Sequence, residues 1–313
     1  MQEVWLHNKD FISIGDAIRE KLDTETEYTI EDMAPAIDSI MNEIDENSDI
    51  AKIIEGSITE LNINMPHIGS YILAGCTLLT TVNLPVTTIV DEGAFSECSN
   101  LSSVSLPEAT DIYFDAFYNC TSLTTINLPK ATTIGGFAFN GCSNLSTVIF
   151  PEVTSVGRRI ITGTAVTSIS MPKLTTASYD AFGSCNYLRT VDLPEVTTIE
   201  SMAFSDCGSL RSVNVPKATS IEYNAFGSCS ALTTIELPSV TSIGSSAFTW
   251  CSNLTSVILS GPTVCDIYAS GVFNSGPIAR GTGYIYVPAN LVDTYKAATN
   301  WAEYANQIVA ISE

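Results

Sequence analysis

Residues 98–142 read CSNLSSVSLPEATDIYFDAFYNCTSLTTINLPKATTIGGFAFNGC, and the second half repeats the first. The register runs outward in both directions. Prolines stand at Pro85, Pro107, Pro129, Pro151, Pro172, Pro194, Pro216 and Pro238, spaced by 22 residues except for 21 between Pro151 and Pro172. Cysteines keep step at Cys76, Cys98, Cys120, Cys142, Cys185, Cys207, Cys229 and Cys251. One copy cannot bury its own Leu, Val, Ile and Phe, whereas stacked copies bury them against each other. The segment before each proline alternates inward and outward side chains and reads as a strand. Proline ends that strand because it has no N–H to give to the ladder. The Ala-Phe pair that follows supplies a small residue and a large ring for close packing of the returning arm. These features predict a right-handed solenoid of about ten coils over residues 51–260.

Stacking has consequences that can be read residue by residue. Equivalent positions of neighbouring coils lie one strand spacing apart, roughly 5 Å. The residue after each proline runs Glu108, Lys130, Glu152, Lys173, Glu195, Lys217, so opposite charges fall side by side as a surface ladder. The repeat cysteines point the same way from coil to coil, outside disulfide geometry. No C-x-x-C pair occurs, and His7 and His67 are the only histidines, which argues against a zinc site. The thiols are therefore expected to be free, reduced and buried as small hydrophobes. Cys265 lies outside their ladder.

Two segments flank the repeats. In residues 1–50, Phe11, Ile14, Ile18 and Leu22 share one helical face, and Ile30, Met33, Ile37, Ile40 and Ile44 form a short stripe. This predicts a helical hairpin, closed on itself or used for attachment and homo-oligomer formation. Asp45 to Asp49 imitates the start of a calcium loop, but Ile50 stands where glycine is required, so no metal is expected. Residues 261–313, with Tyr284 to Pro288, a helical stretch from Leu291 to Ala298 and then Trp301, read as a closing cap. The expected fold class is α+β, a repeat solenoid between a helical front domain and a cap.

Composition narrows the function. The net charge is −21, and residues 1–60 hold sixteen acids against four bases. Such a chain repels phosphate backbones and anionic bilayers, so neither nucleic acid nor membrane insertion is expected. No segment has the roughly 18 consecutive apolar residues of a membrane-spanning helix. Met1 to Lys9 lacks a basic stretch followed by an apolar core, which points to synthesis and folding in the cytosol unless a leader has been removed. Nucleophile-elbow, P-loop and dinucleotide motifs are missing, and His67 has no acid partner at a motif spacing. The chain reads as a non-enzyme without a cofactor or catalytic residues.

The unit L-x-x-V-x-L-P-x-x-T-x-I-x-x-x-A-F-x-x-C, over roughly residues 57–260, resembles the BspA-type leucine-rich repeat. The resemblance implies secreted and surface proteins of gut and oral bacteria that bind host proteins. Similar repeats occur in tail proteins of phages infecting those bacteria. Phe11 to Lys21, Tyr28 to Ala34 and Ile53 to Leu61 are similar to modules of phage tail and baseplate-associated proteins. That resemblance implies a virion tail component, with residues 1–50 bound to other tail proteins and the solenoid recognising a protein or glycan on the host surface. The alternatives are a secreted or cell-surface bacterial adhesin and a structural spacer without a ligand.

Two sets of residues are candidate contacts. Phe114, Tyr118, Phe137, Tyr179, Tyr223 and Trp250 lie beside the Ala-Phe pair, in slots where other coils carry Ser, Asn or Gly. Exposed rings make interface anchors. Arg158-Arg159 is the basic pair of the one shortened repeat, read with Arg159, Ile160 and Gly163 in place of Ala, Phe and Cys, and could contact an anion. The competing surface is the outward strand row from Asn83 to Ile258, which is mostly small and polar.

Overall fold

The computed structural model describes residue 52 and residues 57–268 and 271–312. The helical front segment and the calcium-loop lookalike lie outside the described residues. Each coil supplies a three-residue strand such as Thr125–Asn127 and a two-residue strand such as Thr133–Ile134. All pairings are parallel and advance by one repeat, for example Val82 to Val104 and Val90 to Ile112. The stack makes about eleven turns. Strand and turn dominate it, with one short α-helix, Val292–Ala297, in the closing segment.

A third hydrogen-bonded column runs along the Ala-Phe arm. Gly93, Phe95 and Glu97 donate their N–H groups to the carbonyls of Phe114, Ala116 and Tyr118 in the next coil, at 2.7–2.9 Å. The intervening Ala94, Ser96 and Cys98 donate within their own coil. This alternation needs two left-handed residues per coil, at the slots of Gly93 (φ 60°) and Glu97 (φ 62°). Most coils fill those slots without glycine, as with Phe137 (56°), Met202 (62°), Ser228 (61°) and Trp250 (59°). A left-handed conformation costs a non-glycine residue about 1–2 kcal/mol.

The core is a set of columns. Phe95, Phe117 and Phe139 stack with centroids 5.1 and 5.4 Å apart, and Phe182, Phe204, Phe226, Phe248 and Phe273 continue at 5.1–5.6 Å. All eight rings are buried. All nine cysteines are free and buried. They do more than fill space: the thiols of Cys120, Cys142, Cys207, Cys229 and Cys251 donate to the carbonyl of the phenylalanine 25 residues earlier, at 3.0–3.2 Å. Burial pushes the Cys98, Cys251 and Cys265 thiols up from 9.0 to about 12. The charge ladder forms as pairs, each lysine reaching the glutamate of the coil before it: Lys130 to Glu108, Lys173 to Glu152 and Lys217 to Glu195. These pairs are half-exposed and contribute little.

One junction breaks the lattice. Ser155–Val156 pairs back to Thr133–Ile134 and Thr176–Ala177 pairs forward to Thr198–Ile199, yet the two strands do not bond each other. The long strands part at the same place, between Thr147–Ile149 and Ser168–Ser170. They also part after Ser105 and after Asn214, but there the short strands stay paired. A threonine hydroxyl ladder runs Thr154 to Thr132 and Thr197 to Thr175, with no link from Thr175 to Thr154. The gap falls beside the one deleted residue. Arg159 and Ile160 donate to Asp180 and Ala181, one residue later than the regular arm pattern.

The hydrogen bonds also correct the alignment of this coil. Phe139 donates to Ile160 as Phe117 does to Ala138, so Ile160 fills the alanine slot and Ile161 the phenylalanine slot. Thr164 fills the cysteine slot and donates to Ile161 of its own coil at 2.7 Å. Phe150, in place of the usual leucine, is buried and stacks on Phe139 at 5.9 Å. The apolar core runs on through Val166, Ile169 and Met171, as expected.

The closing segment extends the strand columns before it caps them. Asp266–Ile267 pairs with Ser242–Ile243, and Tyr284–Val287 pairs with both Ser256–Ile258 and Ile308–Ala310. Cys265 is clasped through its backbone: its N–H donates to Tyr295 Oη at 2.9 Å, and its carbonyl accepts from Trp301 Nε1 at 2.6 Å. Tyr304 meets Phe273 edge-on at 5.2 Å and ends the ring column.

Phe117→Ala or Phe204→Ala is expected to cost about 3–5 kcal/mol by cavity formation, against about 0–1 for Lys130→Ala, read by urea unfolding. Ser228→Gly should instead stabilise the fold by about 1 kcal/mol, because it relieves a left-handed residue. The raised thiols give stability a sign with pH. Above pH 9 the unfolded chain loses thiol protons that the folded chain keeps, so stability should fall as pH rises from 9 toward 12. A flat profile across that range would contradict burial of the thiols.

Candidate interaction surface

The residues on either side of each Ala-Phe pair are held along one exposed edge by inter-coil hydrogen bonds. Tyr179, Tyr223 and Trp250 are 49, 51 and 62% exposed. Tyr179 is steadied from the next coil, where Glu200 accepts its backbone N–H and Met202 Sδ lies 3.7 Å from its hydroxyl. Tyr118 is half-buried. Phe114 is 41% exposed and meets half-buried Phe137 edge-on at 5.4 Å. Arg158 lies over the other side of that system, its Cζ 5.0 Å from the Phe137 centroid.

Sequence reading treated the rings and the arginines as separate candidates, and the structure brings part of them together. Phe114, Phe137, Arg158, Arg159 and Tyr179 follow each other along four successive coils of one edge. Arg158 Nη2 and Arg159 Nε both donate to Asp180 Oδ2, at 3.2 and 2.7 Å. Asp180 is a buried charge, with a side chain 7% exposed, and a buried charge must be paired. Its partners were invisible in sequence because they come from the preceding coil. Tyr223 and Trp250 lie farther along the stack, away from this cluster.

Sequence reasoning missed several members of the surface. Tyr71, Tyr113, Tyr187 and Tyr268 are all exposed. Tyr187 stands between the repeat cysteine and the following Leu188, where other coils carry Ser, Asn or Ala, and that contrast was available. Tyr113 directly precedes Phe114 in a slot that Gly135, Gly157 and Gly244 hold elsewhere. At Gly135 a Cβ would come within 2.5 Å of the Tyr113 backbone. His67 also has a partner that spacing did not suggest, since its Nε2 lies 2.6 Å from Asp91 Oδ2 on the open surface.

The outward strand row is different in kind. Its polar side chains bond each other, as in Asn83 Nδ2 to Asn62 Oδ1 at 2.9 Å and Asn214 Nδ2 to Asp192 Oδ1 at 2.6 Å. Where the long strands part after Asn214 they leave a groove of about 270 Å³, lined by Ser212, Asn214, Thr234, Glu236, Pro216 and Pro238. The strand face thus offers a shallow polar groove, and the arm edge offers rings and guanidinium groups.

Comparison with known proteins agrees with this geometry. Six copies of the BspA type leucine rich repeat region match, over residues 66–189, 110–232 and 175–280. The chain belongs to the BspA-type leucine-rich repeat family. A leucine-rich repeat protein from Bacteroides ovatus has a similar structure, with a TM-score of 0.56, 20% identity and coverage of 82% of this chain and 84% of that one. A leucine rich cell surface protein from Faecalibacterium prausnitzii aligns with a TM-score of 0.37 and 22% identity over 82% and 80%. No curated protein matches the chain by sequence. The first likeness establishes the fold of this BspA-type chain.

Removing the buried carboxylate tests the reading of the shortened coil. Asp180→Ala is expected to cost about 1–3 kcal/mol, since it deletes two charge-assisted hydrogen bonds while the half-exposed arginines regain water. Backbone hydrogen exchange over residues 174–178 should accelerate more than exchange over 196–200. Equal acceleration at both places would show that the pair does not support this junction.

Proposed function

We propose that this chain is a non-catalytic binding protein of the cell-surface adhesin kind, and that the arm edge is the face that meets a host protein. One observation carries the reading. Trp250 stands in a left-handed slot that Gly141 and Gly163 fill in other coils, and it leaves 62% of its surface in water. The fold gains little from a ring there and bears its backbone strain. Tyr179 and Tyr223 sit on the same edge, in a slot where Gly136 and Ser245 serve other coils. Large rings set on a rigid scaffold lose little entropy on binding and make strong anchors. Burial of the thiols suits the oxidising exterior of a cell, because no cysteine is offered to an oxidant.

Family membership supports the adhesin reading. The tail-associated reading draws on residues 1–50, which lie outside the described residues, so the described solenoid adds nothing to it. A glycan partner would be better served by the polar groove of the strand face than by an exposed edge.

The test is the triple variant Tyr179→Ser, Tyr223→Ser, Trp250→Ser, assayed for binding to host epithelial cells. Binding is expected to fall at least tenfold, corresponding to about 1.4 kcal/mol or more, with the unfolding midpoint little changed. Unchanged binding by the folded variant would move the site to the strand face. Binding abolished by glycosidase treatment of the cells, and not by protease, would make the partner a glycan.

A further inference from the structure

The shortened coil sets two cations against one buried acid. Its arm carries Arg158 and Arg159 in a chain of net charge −21. Asp180 Oδ2 accepts one nitrogen from each, so two guanidinium groups share one carboxylate and the cluster keeps a charge of +1. A guanidinium has five N–H donors. Each arginine commits one nitrogen to Asp180, and among the described residues the other donors have no protein partner. The two side chains are 48 and 39% exposed, so those donors are within reach of a visitor.

The groups are also held still. Asp180 is buried beneath them, with a side chain 7% exposed, and its Oδ1 takes the space that Gly183 leaves by having no Cβ. Arg158 rests on the Phe137 ring, which in turn meets Phe114. A fixed guanidinium fork loses little freedom when it takes a second carboxylate. Flanking rings exclude water from such a contact and strengthen it.

We propose that Arg158 and Arg159 dock a single carboxylate of the protein partner, an acidic side chain or a chain terminus set among apolar groups. This rests on the reading of the arm edge as the interface. A polyanion does not fit, because the cluster keeps a single positive charge, too little to hold an extended run of negative charges. An enclosed small acid does not fit either, because the pair stands on an exposed edge. One carboxylate within an otherwise uncharged contact does fit, since a guanidinium fork matches its two oxygens.

The test uses the full chain labelled with nitrogen-15, following the arginine Nε–Hε signals of residues 158 and 159, assigned with Arg158→Lys and Arg159→Lys. The probes are N-acetylphenylalanine as its carboxylate, N-acetylphenylalanine amide, and inorganic phosphate. Both signals should move saturably with the carboxylate and at least fivefold less with the amide or phosphate. Equal response to the amide, equal response to phosphate, or no response would overturn the proposal. Arg158→Gln and Arg159→Gln, made singly so that one arginine still holds Asp180, should each weaken binding to host cells about tenfold. If the aromatic triple variant loses binding and these do not, the arm edge stands and the carboxylate site falls.

Discussion

Everything in this molecule depends on the hydrogen bonds and apolar contacts that one coil makes with the next. A coil on its own exposes its Phe, its Cys and both its strands, and has no second layer to cover them. Stacking covers all of them at once, because a constant repeat brings like against like: ring on ring, hydroxyl on carbonyl, glutamate beside lysine. The thiols show how far this goes. Five of the repeat cysteines fill a small apolar space and also donate to the phenylalanine carbonyl of the preceding coil, a role that a valine could not take.

The constant repeat is why so much was legible in the sequence. Proline and cysteine spacing alone places the strands, the core faces and the paired charges Glu108–Lys130 and Glu195–Lys217. What was illegible depends on φ or on partners from other coils. Nothing in the residue types announces that Phe137, Met202 and Trp250 are left-handed, since glycine and asparagine are the residues that mark such positions. Asp180 could not be named as a buried acid, because the arginines that make its burial tolerable stand 21 and 22 residues earlier. One deletion also misled the alignment by a residue, which only the hydrogen bond from Phe139 to Ile160 resolves.

The irregular coil links architecture to recognition. Both strand columns lapse between Val156 and Thr176, beside the one deleted residue, and the arm alone carries the backbone across. Arg158 and Arg159 on Asp180 help to hold that arm while leaving guanidinium donors unspent. The place where both strand columns lapse is therefore also where the cluster of Arg158, Arg159 and Asp180 keeps a positive charge and where Phe114 meets Phe137.

Inter-coil bonding holds the fold, and among the described residues both strand columns lapse together at one place, between Val156 and Thr176. Native-state hydrogen exchange, resolved by coil, tests it most directly. Solenoid stability is a sum of nearest-neighbour terms, so coils should protect each other in two cooperative blocks, residues 80–157 and 176–267, with the lowest protection in the strand amides facing the junction at 155–156 and 176–177. A single protection level running through that junction without a step would contradict the account.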